Sequence, residues 1–285
     1  MFQLSESNLE KLKIARELLN EIIYVGEEAL IKLNHVEVNH NLQIFHGCLG
    51  RFVHNLDSVH ILLEHYPANR NVETAIGLAI RASLLDFMTI AYLFTYSADA
   101  TKDNPEAHNK YETEIQTLIG DHLYNFIPYI KLMRDKNFIN QGVYKTIIKN
   151  MWVHFPHAFN TNEIDYERPE QKLLIIKKFK SPKELFLRMS NHPLTKDLAG
   201  IYDLYSYYSK YEHFGVLTNF FRNQGINRNF INIITSTDYM VRGMAMCLTY
   251  LTFPYEWMIA DNEVLTKLRY NYEAFCRIDK NGDFL

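Results

Sequence analysis

Apolar residues recur three and four positions apart along almost the whole chain, the period of a helix with one face turned inward. The first such run follows "SNLE", Ser7–Glu10, which has the form of a capping box, and continues through Leu33. A second helix is predicted over 43–66, ending before Pro67, and a third over 71–96. "SADATKDNPE", 97–106, is polar, ends on an Asn-Pro step and reads as a linker. Shorter helices are predicted at 106–119, 121–136 and 140–153. The stretch 154–170 holds two prolines and no period, and reads as a loop. Helices follow near 169–179 and at 182–191, the latter with Ser181 as N-cap and Pro182 in its first position. A long helix is predicted over 194–222, a break at "RNQGINRN", and two last helices at 229–253 and 261–278. No strand pair, fixed-period repeat or low-complexity tract interrupts this pattern. The expected fold is all-α: a compact multi-helix bundle with no significant sheet, one helical domain over 1–285 with the helix of 1–34 at its periphery.

Composition narrows the classes. A chain of 285 residues can bury roughly 75% of its unfolded surface, so its core needs no staples. The net charge is −3, which lacks the basic footprint usual for a nucleic-acid binder. The one basic stretch, "KKFKSPKELFLR" at 177–188, reads as a solvated helix face and turn. Cys48, Cys247 and Cys276 form no CxxC pair, which argues against a disulfide framework or zinc ribbon and fits a reducing cytoplasm. The charged N-terminal stretch has no apolar core of a secretory signal. Residues 75–96 are long and apolar enough to span a bilayer, but Arg81 and Asp86 lie inside the run. Each would cost about 2.5–3.5 kcal/mol at a membrane helix centre, so a buried helix in a water-soluble core is expected.

Candidate chemistry gathers in two helices. In "YDLYSYYSKYEHFGVLTNFF", 202–221, five of the first ten residues are tyrosine. At helical spacing, Asp203, Ser206, Ser209, Lys210 and His213 share a polar front, with Leu204, Tyr207, Tyr208, Tyr211 and Phe214 behind them and Tyr205 and Glu212 at one border. His213 is the natural general acid or base, and Ser209, one turn away, can orient it. A serine nucleophile needs a base held by a third group and a sharp turn to expose it; no G-x-S-x-G occurs, so a serine hydrolase is excluded. In the 71–96 helix, Arg81 and Asp86 point about 140° apart and must seek partners on other helices or a cavity. The candidate catalytic set is therefore His213, Ser209, Arg81 and Glu212, and the candidate ligand-binding set Arg81, Asp86, Tyr205 and His213.

Metals and cofactors find little support. "DKNGDF", 279–284, begins like a calcium loop but has Phe284 where that loop needs glycine. His54, Asp57, His60 and Glu64 share the polar face of the 43–66 helix, opposite Phe45, Phe52, Leu56, Val59 and Leu63. A di-metal bundle draws Glu-x2-His pairs from several helices, and no second such pair is seen. No metal site and no cofactor are expected.

An Arg and an acid in an apolar helix, followed much later by the Y-x3-S-x3-H row Tyr205, Ser209, His213, resemble a bacterial all-helical family known only as a domain of unknown function. The likeness covers 43–258 and implies fold more than activity. That family sets its acid about four residues after the Arg, whereas Asp86 comes five after Arg81. A more distant resemblance is to HEPN-like helical ribonucleases of toxin and phage-defence systems. Their signature, Arg followed by roughly four to six residues and then His, is not met: Arg51 and His54 are too close, as are Arg188 and His192. Two expectations result. One is a cytoplasmic binding or regulatory module, in keeping with a homodimer, that takes an anionic ligand or a partner helix near Arg81 and His213. The other is a HEPN-like ribonuclease or other hydrolase, defence-associated and using His213, for which nucleic acid would be the substrate.

Overall fold

The structure, a computed structural model, describes residues 4–34, 42–69, 71–100, 104–175, 177–198, 200–211 and 225–252. Among them are eight α-helices: α1 Glu6–Leu33, α2 Gln43–His65, α3 Val72–Asp99, α4 Pro105–Asp135, α5 Gln141–His154, α6 Pro182–Ser190, α7 Ile201–Tyr208 and α8 Ile226–Thr252. No strand occurs among the described residues; the sole extended pairing there is an isolated antiparallel bridge between Phe159 and Leu173. The fold is all-α, as the periodicity predicts. The chain gathers into two compact units, one from Met1–Val38, Phe45–Tyr92 and Leu185–Leu285, the other from Asn39–Ile44 and Leu93–Glu184.

In the first unit the helical period becomes a core. Phe45, Leu49, Phe52, Leu56, Val59 and Leu63 of α2 are all fully buried, at the spacing that puts them on one face. Helix α1, expected at the periphery, buries Leu12, Ala15, Leu19, Ile22, Ala29 and Leu33. Two glycines set the closeness of the helices. A methyl on Gly26 would meet Val53 Cγ2 and Met244 Sδ, and one on Gly243 would strike the ring of Phe52. The cap of α1 sits two residues ahead of the expected one: Ser5 Oγ accepts from the Asn8 N–H at 3.3 Å. Asn227 Oδ1 accepts from both Ser5 N and Asn8 Nδ2, at 3.1 and 2.9 Å, and so ties the start of α1 to the start of α8.

The second unit corrects two expectations. The helices predicted at 106–119 and 121–136 are one 31-residue helix, α4, capped by Asn104 and carrying Pro128 in its interior. Gly120 lies in its middle because the backbone passes over it: a Cβ there would come within 2.6 Å of the Ile175 carbonyl oxygen. The helix predicted at 169–179 is only a 3-10 turn, Pro169–Lys172, after which Leu173 is extended. That strand-like piece pairs with 158–160, Asn160 N donating to Lys172 O and Leu174 N to Ala158 O, both at 2.8 Å. Loop 154–170 is pinned rather than free: Trp152 stacks on Phe159 at 3.6 Å and donates Nε1–H to Thr161 O at 3.0 Å. Tyr144 donates its hydroxyl to Tyr166 O at 2.8 Å. Helix α6 begins as expected. Glu184 Oε2 accepts from Ser181 N at 2.7 Å while Ser181 Oγ accepts from Glu184 N at 3.4 Å, a reciprocal capping box.

Candidate functional site

Helix α3 is the most apolar element. Its best 18-residue window passes for a membrane span by length and hydropathy, yet 61% of that window is buried within the protein, as in a core helix. Ile76, Ile80, Leu84, Phe87 and Met88 are fully buried. Arg81, on the same helix, is half-buried, and its side chain reaches α7. The guanidinium carbon stands 5.5 Å from the centre of the Tyr205 ring, a cation–π distance. Its Nη2 reaches the Tyr205 hydroxyl at 3.5 Å, longer than a well-made hydrogen bond. Tyr205 is also the end of a ring row: its centre is 6.5 Å from that of Tyr202 at 27°, and Tyr202 stacks on Phe186 of α6 at 4.7 Å and 21°. All three rings are half-buried.

The helix predicted over 194–222 is not continuous. A 3-10 turn at Lys196–Leu198 precedes α7, which holds its α form for eight residues before tightening into a second 3-10 turn, Ser209–Tyr211. Ser209 therefore sits on a turn, and its Oγ donates to the Ser206 carbonyl at 2.7 Å. A hydroxyl bonding back to its own turn is the local competition that makes serine a poor helix-interior residue. His213 and Glu212 lie outside the described residues, and with them the expected Ser209–His213 pairing.

Asp86 turns away from Arg81 and meets α2. Its Oδ1 accepts from Arg51 Nη2 at 2.8 Å. The Asp86 side chain is 13% exposed and the Arg51 side chain 51%. Burial pushes the Asp86 carboxyl up to about 6, and Arg51, half in water, only partly opposes it. The same Nη2 donates to Cys48 Sγ at 3.4 Å. Burial pushes the Cys48 thiol up to about 11 and the Cys247 thiol well above its ordinary range, so both are protonated and unreactive at neutral pH.

Sequence reasoning misses a second polar group inside the same unit. Asn229 Nδ2 donates to Glu73 Oε1 at 2.7 Å and Tyr207 donates its hydroxyl to Asn229 Oδ1 at 2.9 Å, joining α3, α8 and α7. Glu73 and Asn229 are 1% and 2% exposed. Nothing in the local sequence marks Glu73, which reads as an ordinary acid in a first helical turn. The signal would have been an Asn and a Tyr on apolar faces, each needing a buried partner.

The α2 polar face behaves as expected opposite its apolar side. Glu64 accepts from Arg16 of α1 at 2.9 Å. Burial, then the charge of Arg16, holds His60 below its usual range. Arg16, His60 and Glu64, with Leu9, Leu12 and Lys13, border a cavity of about 520 Å³. Among the described residues no group of three or more His, Cys, Asp or Glu side chains is arranged to hold a metal ion. Arg81 with the Tyr205 hydroxyl is thus the place where two hydrogen-bond donors converge beside an aromatic row, a chemistry suited to an oxyanion rather than to proton transfer. Comparison with protein-family models, with curated proteins and with solved structures finds no match for this chain.

Proposed function

We propose that this protein is a cytoplasmic helical binding module that takes an anionic group at Arg81 and Tyr205. The observation that carries the reading is the 3.5 Å approach of Arg81 Nη2 to the Tyr205 hydroxyl at the edge of a half-buried ring. The Arg81 N–H donates to the Tyr205 hydroxyl oxygen at that long distance, and a phosphate or carboxylate arriving at that edge would accept from the guanidinium and from the tyrosine O–H. The half-buried setting lowers the local dielectric, which strengthens such a contact over one made in open water.

Calorimetric titration with inorganic phosphate and with pyrophosphate tests this. Binding that is weakened at least ten-fold in Arg81→Ala, with an unchanged melting temperature, is the expected result. No heat from either anion overturns the reading. The HEPN-like alternative is tested on the same preparation with a fluorescent RNA oligonucleotide: cleavage that vanishes in His213→Ala would replace binding by ribonuclease action.

A further inference from the structure

We infer that this protein pairs with a second copy of itself along α1, the two α1 helices lying antiparallel about a two-fold axis at Asn20. The surface is a groove. Helices α1 and α2 run in opposite directions, since Arg16 meets Glu64 at 2.9 Å while Gly26 lies against Val53. Between them, the cavity of about 520 Å³ at Arg16 and His60 is followed by one of about 400 Å³ at Tyr24, Glu27 and Asp57, and Asn20 borders both. On α1 the groove is edged by Leu9, Lys13, Arg16, Asn20, Tyr24 and Glu27, and Ile31 continues the row one turn on. Steps of three and four residues keep this row within roughly 80° of the helix surface, the form of a seam against which another helix packs. Leu9, Tyr24 and Ile31 are 43%, 53% and 61% exposed, so three large apolar side chains stand in water along one line.

The order of the row says what covers it. Counted outward from Asn20, four residues either way give Arg16 and Tyr24, seven give Lys13 and Glu27, and eleven give Leu9 and Ile31. A two-fold axis at Asn20 therefore sets each member opposite its complement in the second copy: guanidinium on tyrosine ring, ammonium against carboxylate, leucine against isoleucine. Asn20 meets Asn20 on the axis, where each amide N–H donates to the other's carbonyl, the kind of polar seam residue that fixes register in paired helices. Lys13, Glu27 and Asp57 make no ion pair among the described residues. Lys13 of the second copy then arrives beside two such carboxylates, Glu27 and Asp57, on the border of one cavity. A parallel pairing would set Lys13 against Lys13 and Glu27 against Glu27, which like charges oppose.

Analytical ultracentrifugation of the full chain tests this at concentrations up to roughly 100 µM, beyond the µM to pM span of interfaces of ordinary size. A dimer is expected. Lys13→Glu and Glu27→Lys each turn two attractions into two repulsions and are expected to weaken dimerisation at least ten-fold, with an unchanged melting temperature because both side chains are exposed. The combined variant exchanges the two charges and is expected to dimerise more tightly than either single variant. Asn20→Cys, which faces itself across the axis, should form an interchain disulfide on mild oxidation that neither the parent nor Glu10→Cys, off the row, forms. A chain that stays monomeric overturns the inference and leaves the groove to a helix of another protein. A dimer that neither charge reversal weakens is built on another face and overturns it as well. Charge reversals that add without rescue, or an Asn20→Cys chain that oxidises no differently from the parent, overturn the antiparallel register.

Discussion

Asp86 shows that a short ion pair need not stabilise. Its oxygen lies 2.8 Å from Arg51, yet its carboxyl is held near 6 rather than at its ordinary 3.8, because burial outweighs an attraction that water screens on the arginine side. The sign follows from proton counts. Between pH 4 and 6 the folded chain keeps a proton on Asp86 that the unfolded chain has released, so stability falls as pH rises through that window. The difference of about two pKa units corresponds to roughly 3 kcal/mol, absent below pH 4 and fully present above pH 6. Asp86→Asn mimics the protonated form. It is expected to be more stable than the parent at pH 7, by up to roughly 3 kcal/mol, and equal to it near pH 4. Urea unfolding at the two pH values checks this, and a loss of stability at pH 7 would show that the ion pair dominates after all.

At the scale of elements, glycines decide where helices approach. A methyl at Gly243 meets the fully buried ring of Phe52, which has no free space to retreat into. Gly243→Ala is expected to cost about 1–3 kcal/mol by overpacking, despite alanine's better helix propensity. Gly47, on α2, has nothing within 4 Å of the added carbon, and Gly47→Ala is expected to gain about 0.5–1 kcal/mol. Denaturant midpoints shifting in opposite directions would confirm both. The positions and lengths of α2, α3, α5 and α8 are legible in the sequence because each carries a sustained apolar stripe between clear stops. The failures have separate causes. Gly120 looks like a break between two helices, but it is where Ile175 crosses one continuous helix, a tertiary contact that no local pattern records. Residues 169–179 carry helix-forming side chains, yet the extended piece is fixed by hydrogen bonds to 158–160, brought from a distant loop. Arg81 and Tyr205 stand out from composition and position, and the structure brings them together. Asp86 was legible as a charge in need of a partner, but that partner, Arg51, lies 35 residues away on another helix.

For the molecule as a whole, the telling contrast is between the hydropathy of α3 and its surroundings. By length and hydropathy α3 passes for a membrane span, but it carries Arg81 and Asp86 and has most of its apolar window covered by protein. The purified protein is expected to partition into the aqueous phase of a temperature-induced detergent separation. Recovery in the detergent phase would show that α3 meets lipid. A net charge of −3 adds no long-range pull toward polyanions, so any ligand must be selected by local groups rather than gathered by the field of the whole chain.

Helix α7 is eight residues long, too short to persist in water by its own hydrogen bonds. It is held by the buried side chains of Ile201 and Tyr208 and by Tyr207, whose hydroxyl is moored through Asn229 to the buried Glu73. Tyr202 and Tyr205 ride on the same two turns of backbone. An anion held at Arg81 and Tyr205 pulls on the mooring, and the mooring in turn sets how firmly Tyr205 is presented. Affinity at the surface and the integrity of the interior are then one quantity seen from two ends. A change at Asn229, which touches no ligand, would act as a dial on binding, and a bound ligand would be felt as added resistance to opening at the heart of α3 and α8.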